Sequence, residues 1–147
     1  MPWVGTFAGE PLAAAVARKS FEILMAGHYA DWAATRGAHL MSRLRDLQQR
    51  YEIIGDVRGK GLYVGVEIVK DAIGRERDNA MMHRIRWNAL EEGLLLAGSS
   101  NVLKMFPALI IEPEEIEQAV DKIERAVKRA LDGHPRDVAR FTTTSVA

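Results

Sequence analysis

The 147-residue chain balances 20 lysines and arginines against 20 aspartates and glutamates, and it contains no cysteine. The neutral balance leaves no net field to gather nucleic acid or an anionic membrane, and the missing thiols exclude disulfide staples and cysteine-ligated metals. The length suits one domain with its own core and is too short for two. No apolar run reaches the ~20 residues of a membrane span, Met1-Pro2-Trp3-Val4 does not open a signal peptide, and a cytoplasmic address is the default.

In chain order, Gly5-Thr6-Phe7-Ala8-Gly9-Glu10-Pro11 is a glycine-bracketed turn that leads into a helix. Gly5 and Gly9 tolerate positive φ and close approach, and Pro11 suits the first helical position. Thr6 sets a hydroxyl beside several backbone N–H groups, an arrangement able to cradle an anion such as phosphate. The same residues also make an ordinary helix start, and local chemistry alone favours that plainer use. From Pro11 to Met25 the sequence is rich in alanine and apolar almost all round, so this helix expects neighbours on more than one side. Gly27 stops it.

A second helix is expected from Ala30 to Arg50, with Ala33, Gly37, Leu40, Leu44 and Leu47 as its apolar stripe and Arg36, Arg43, Arg45, Gln48 and Gln49 outside. His28 and His39 lie eleven residues apart with no third ligand at a useful spacing, so core or surface roles fit them better than metal binding. Ile53–Val57 and Leu62–Val69 are expected as strands. In the second, Leu62, Val64, Val66 and Ile68 alternate with Tyr63, Gly65, Glu67 and Val69. Arg58-Gly59-Lys60-Gly61 joins them as hairpin material. No helix follows this Gly-x-Gly, so it fails the context test for a dinucleotide-binding loop.

Asp71–Asp78 is a charged loop. Asn79–Glu92 is a third helix with Met82, Ile85 and Ala89 inward, capped by Gly93. Leu94–Leu96 is expected as a short buried strand, Gly98–Asn101 as a turn, Val102–Phe106 as a strand and Leu109–Ile111 as a last extended piece. Lys104 shares a strand face with Val102 and Phe106. The final helix runs from Pro113 to Leu131, with Glu114 and Glu115 in the first turn to suit the dipole and Ile116, Val120, Ile123 and Val127 on one side. The whole reads as α+β: an antiparallel sheet of three to four strands covered by helices on one face, preceded by a long connecting helix. Residues 1–27 form the loop and interdomain helix, 28–132 the small domain, and 133–147 a loose tail.

Five stretches carry a resemblance. Gly5-Thr6-Phe7-Ala8-Gly9-Glu10-Pro11-Leu12-Ala13, Ile54-Gly55-Asp56-Val57-Arg58-Gly59-Lys60-Gly61-Leu62, Gly93-Leu94-Leu95 with Asn101-Val102-Leu103-Lys104, Pro107-Ala108-Leu109, and Glu112-Pro113-Glu114-Glu115-Ile116 stand in one order over residues 5–131. In that order they resemble the C-terminal part of class III aminotransferases, pyridoxal-phosphate enzymes of fold type I. The resemblance implies the C-terminal small domain of such an enzyme and amino-group transfer between an amine or amino acid and a 2-oxo acid.

In that family the cofactor is a Schiff base on a lysine of the large domain, where the ring serves as an electron sink. None of Lys19, Lys60, Lys70, Lys104, Lys122 and Lys128 stands in a matching context. The resemblance therefore implies about the last third of an enzyme, with no catalytic residue of its own, pyridoxal phosphate bound in the parent and none by this chain alone. Thr6, with Gly5 and Phe7 beside it, matches the loop whose threonine reaches the cofactor phosphate of the neighbouring subunit, which implies a homodimer.

Lys104 matches the place where many of these enzymes hold the substrate carboxylate with arginine. A lysine lacks the planar fork for bidentate carboxylate binding, which turns expectation toward amines, ω-amino acids or phosphorylated amines, or toward a lyase. A strand lysine reaching solvent is the plain alternative. Glu10 departs from the family's asparagine, and its carboxylate suits a helix N-terminus more than a phosphate neighbour. Two further readings stay open: a non-catalytic oligomerisation or binding module derived from the family, and part of a phospho-lyase acting on an amino-alcohol phosphate. No metal, nucleic-acid or membrane partner is expected.

Overall fold

Residue 5 and residues 9–133 are described by a computed structural model of the chain. The tail expected from 133 onward therefore lies outside the described residues, apart from Gly133.

Helix α1 (Pro11–Ala26) starts on Glu10, whose Oε2 accepts a hydrogen bond from the Ala13 N–H at 2.6 Å. The carboxylate thus satisfies one of the free donors of the first turn. Gly27 ends the helix with extended backbone and donates its N–H to Ile23 O. No residue of α1 is buried, and Leu12, Phe21 and Met25 are 72%, 63% and 70% exposed.

Helix α2 (Tyr29–Arg50) buries Gly37, Leu40, Leu44 and Leu47, the stripe its spacing calls for, with Ala33 half-buried at its start. Strands β1 (Ile54–Lys60) and β2 (Tyr63–Ile68) form a hairpin in which Lys60 faces Tyr63. Gly61 takes φ +55° as the first of the two turn residues, and Leu62, the second, is buried. That placement of glycine matches the turn whose twist suits a hairpin. The turn docks on α2 at Gly37, where a Cβ would overlap the carbonyl group of Gly61. Val64, Val66 and Ile68 face the core, while Tyr63, Gly65 and Glu67 face away. Val69 departs from the expected alternation: it lies past the end of β2, bridges to Arg77 and is fully buried against Gly55.

Helix α3 (Asn79–Glu91) is capped by Asp78, which accepts from the Met81 N–H at 2.8 Å. Its Met82, Ile85 and Ala89 enter the core, and buried Asn88 donates to Ala126 O at 3.1 Å. Leu94–Leu96 is not the expected strand. The Leu94 N–H closes the helix end on Ala89 O beside Gly93 at φ +74°, and Arg86 Nε donates to Leu96 O at 3.1 Å. Helix capping and a side chain therefore occupy the groups a ladder would use, and Leu95 is left 80% exposed.

Pairing begins instead at β3 (Ala97–Ser99), so Gly98 and Ser99 lie in a strand and only Ser100 and Asn101 turn into β4 (Val102–Met105). Ser100 takes φ +56°. Asn101 is buried and tied to β2: its Nδ2 donates to Ile68 O at 2.8 Å, and its carbonyl accepts the Ile68 N–H at 2.7 Å. Leu109–Ile111 is likewise a turn and not an extended piece, closed by the Ile111 N–H on Ala108 O, with Leu109 and Ile110 exposed. Helix α4 (Pro113–Leu131) begins with reciprocal bonds between Glu112 and Glu115 and buries Ile116, Val120, Ile123, Ala126, Val127 and Ala130.

The four strands form one antiparallel sheet in the order β1-β2-β4-β3. One core joins its inner residues, such as Val57, Val66 and Leu103, to Leu44 and Leu47 of α2, Ile85 of α3 and Ile123 of α4. Two of the arginines expected outside α2, Arg36 and Arg43, face α4, as does Arg50 at the helix end. Arg36 reaches Glu112 at 3.0 Å, Arg43 reaches Glu117 at 2.9 Å and Arg50 reaches Glu124 at 2.7 Å. His39 joins Glu117 at 2.7 Å. No helix among the described residues is long and apolar enough to cross a membrane.

Candidate functional site

The sheet presents its second face away from the core, and the strand register lines up the groups on it. Arg58 of β1 lies opposite Gly65 of β2, Gly65 opposite Lys104 of β4, and Lys104 opposite Ala97 of β3. One row across the sheet therefore runs cation, bare backbone, cation, methyl. Val57, Val64, Leu103 and Met105 point inward, which sends Arg58, Gly65 and Lys104 outward by the period-two rule.

A cleft of about 500 Å³ opens over this row, walled by Arg58, Tyr63, Val102 and Lys104 with Gly65 as its floor. Tyr63 stacks on Phe106 at one end, with ring centroids 5.9 Å apart and an interplanar angle of 19°. Behind Lys104, between α2, α4 and the start of β3, lies a smaller and almost wholly apolar cavity of about 230 Å³ that includes Leu40, Leu96, Met105 and Ile116.

The two cations are held differently. Arg58 Nη1 donates to Asp56 Oδ2 at 2.7 Å and lies 3.5 Å from Glu67 Oε2. The hydrogen bond to Asp56, with Glu67 behind it, holds the guanidinium above its ordinary pKa. Glu67 is fixed in turn by Asn101 Nδ2 at 3.3 Å and by Arg75 at 3.9 Å. Lys104 is half-buried, and its side chain makes no hydrogen bond or ion pair with another described residue. A cation with its stem among apolar neighbours and its charge unmatched can take an anion from outside.

Lys104 stands on a strand beside Val102 as expected, although Phe106 lies one residue past the end of β4. Gly5 is half-buried. Thr6 and Phe7 fall outside the described residues, so the phosphate cradle expected of them has no described geometry. Gly9 does take positive φ, at +83°. The sequence treats Arg58 only as part of a turn. Its position relative to Gly61 was the available signal, since the hairpin register then sets it opposite Gly65. Asn101 gave no such signal, because its contacts with Glu67 and Ile68 join residues more than thirty positions apart.

The described residues do not by themselves build a pyridoxal-phosphate site. Neither cavity that Lys104 borders brings a lysine together with a carboxylate able to pair with a pyridine nitrogen. Among the described residues no group of three or more histidines, aspartates or glutamates comes together to hold a metal ion.

Residues 3–127 match the family model described as aminotransferase class-III. The chain is 42% identical over 131 residues to the alanine/serine racemase of Pyrococcus horikoshii, covering 87% of this chain and 27% of the racemase. It is 34% identical over 127 residues to the acetylornithine/succinyldiaminopimelate aminotransferase of Photorhabdus laumondii, covering 86% and 30%. The fold superposes with a TM-score of 0.82 and 30% identity on the crystal structure of an amine transaminase from an uncultivated Pseudomonas species in its PLP-bound form, covering 88% of this chain and 30% of that one. The chain spans less than a third of the length of these relatives, and its helices and four-stranded sheet match a C-terminal region of this fold.

Proposed function

The chain belongs to the class III aminotransferase family, and from that premise we propose that it forms the C-terminal small domain of a longer pyridoxal-phosphate-dependent enzyme. The reaction would be transfer of an amino group between an amine or amino acid and a 2-oxo acid. The observation that carries this is the unbroken family match over residues 3–127, on a fold that superposes on a transaminase. Lys104 would anchor the anionic group of the substrate, a role supported by its place at the edge of a cleft with no charged partner among the described residues. Gly5, Thr6 and Phe7 would reach the cofactor phosphate of a neighbouring subunit, so the working enzyme would be a homodimer. The cofactor lysine would come from a segment beyond this chain, which alone would be inactive.

The racemase relative at 42% identity favours a second reading, inversion at the α-carbon without a 2-oxo acid. The two differ in what leaves the enzyme. In the full-length protein supplied with pyridoxal phosphate, transfer yields a new amino acid or amine only when a 2-oxo acid is added. Racemisation incorporates solvent deuterium at the α-carbon and inverts it without one. We expect transfer; exchange with inversion and no transfer would replace it by the racemase reading, and neither would remove both. Lys104→Ala should lower kcat/KM for an anionic substrate about 10- to 150-fold, the equivalent of a lost charge-assisted hydrogen bond. An unchanged value would remove Lys104 from the site. This chain alone, mixed with pyridoxal phosphate, should give no stoichiometric absorbance band that a single lysine substitution abolishes.

A further inference from the structure

Gly65 occupies the middle of the two-cation row, in an inner strand, where glycine weakens a sheet and often marks the close approach of another group. Its backbone does not require glycine, since its φ is not positive. A Cβ there would sit 3.2 Å from Val102 Cγ1 and 3.9 Å from the carbonyl oxygens of Arg58 and Leu103, a tight but open position. What glycine provides is the gap. Neighbouring strands lie about 4.8 Å apart, so the backbones of Arg58 and Lys104 stand about 10 Å apart across it. Two side chains leaning in from either side can reach one small anion at hydrogen-bonding distance.

The charges select the anion. Arg58 and Arg75 pair with Asp56 and Glu67, while the Lys104 ammonium has no charged partner among the described residues. Asp56 and Glu67 engage only Nη1 of Arg58. Its Nε and Nη2 make no hydrogen bond to another described residue, and the guanidinium is held in place by the pair it already makes.

We propose that Arg58 and Lys104, set on either side of Gly65, form a cleft that holds one carboxylate group, with Arg58 as its second anchor and Gly65 as the residue that sets what fits. This rests on Lys104 as the substrate-anion anchor and extends it to a residue and a gap not assigned to the site. Arg58 supplies the directional N–H donors that a lysine lacks, so a carboxylate can be oriented here although the strand carries Lys104. A bulkier residue at position 65 would close the floor and favour substrates without that carboxylate.

The test is a titration of this chain with sodium propionate at constant ionic strength, followed by backbone amide NMR. Saturable shifts centred on Arg58, Gly65 and Lys104 are expected. Lys104→Met should abolish saturation, Arg58→Met should weaken binding about tenfold or more, and Gly65→Val should abolish it while the dispersion of other amides is kept. Arg58→Lys, which keeps the charge and loses the fork, should fall between wild type and Arg58→Met. Shifts that grow linearly without saturating would overturn the cleft, as would wild-type affinity in Arg58→Met or in Gly65→Val. Neither cofactor nor turnover enters this measurement. Saturable binding by the chain, with a full-length protein that neither transfers nor racemises, would keep the cleft and remove the proposed reaction. An active full-length protein whose chain shows no saturation would remove the cleft alone.

Discussion

Replacing Gly37 by alanine sets two effects of opposite sign against each other. Gly37 lies inside α2, where alanine improves helix propensity by about 1 kcal/mol. It is also where the β1–β2 turn docks. The new Cβ would overlap the carbonyl group of Gly61 and sit 2.7 Å from its Cα. The obstacle is backbone, so no rotamer change relieves it, and the turn must back away from α2. Overpacking in a fitted interior costs about 1–3 kcal/mol, and a rigid backbone partner places this site near the upper end. Subtracting the propensity gain leaves the fold weaker by about 2 kcal/mol, or roughly 4–8 °C in Tm for a chain of this size. Urea and thermal unfolding followed by circular dichroism measure it directly. A Gly37→Ala chain as stable as wild type, or more stable, would mean that propensity wins and that the hairpin does not rest on α2 as described.

Glu124 accepts hydrogen bonds from Lys128, Tyr51 and Arg50 at 2.7–2.8 Å, and these, Lys128 foremost, hold its carboxyl at about 2. A pKa lowered by folding gives stability that is present above the ordinary value near 4.5 and lost as pH falls toward 2. Discounted for the exposed partners Arg50 and Lys128, this is on the order of 1–2 kcal/mol. The urea midpoint should therefore drop across that window, and Glu124→Gln should flatten part of the drop; an equal drop in both would refute the assignment. Removing residues 1–27 should abolish self-association through Leu12, Val16, Phe21 and Met25, all exposed on α1. Light scattering that finds the full and shortened chains equally monomeric would show that α1 does not drive contacts between copies.

Local patterns carried most of the fold into the sequence. Alternation gave β2 between Tyr63 and Ile68, although the join read as Arg58–Gly61 is a two-residue turn of Gly61 and Leu62 with Arg58–Lys60 inside β1, and Pro113 with Ile116, Val120, Ile123 and Val127 gave α4 with its observed ends. Three leucines in a row have no period, and Leu94–Leu96 read as a strand only because nothing local shows that Ala89 and Arg86 take its backbone groups. Leu109–Ile111 misled in the same way, as an apolar run that folds into a turn. At the site, Lys104 was legible through its strand neighbours. Arg58 was not, because its place depends on two strand registers, the second with a strand about forty residues further on.

The pairs between α2 and α4 settle a question that the apolar contacts between those helices leave open. Leu40, Leu44 and Leu47 meet Ile116, Val120, Ile123 and Val127 in stripes that repeat every three or four residues. Such a stripe nearly matches itself after sliding one turn, about 5.4 Å. The arginines do not. Arg36, Arg43 and Arg50 each meet one glutamate, and although Glu114 and Asp121 lie one turn before Glu117 and Glu124, a slide of one turn either way leaves at least one of the three arginines without a carboxylate. Singly, pairs this exposed contribute about 0–1 kcal/mol. Together they work as a vernier, marking the one longitudinal setting of two otherwise self-similar surfaces, so alignment and cohesion are written in different residues of the same helices.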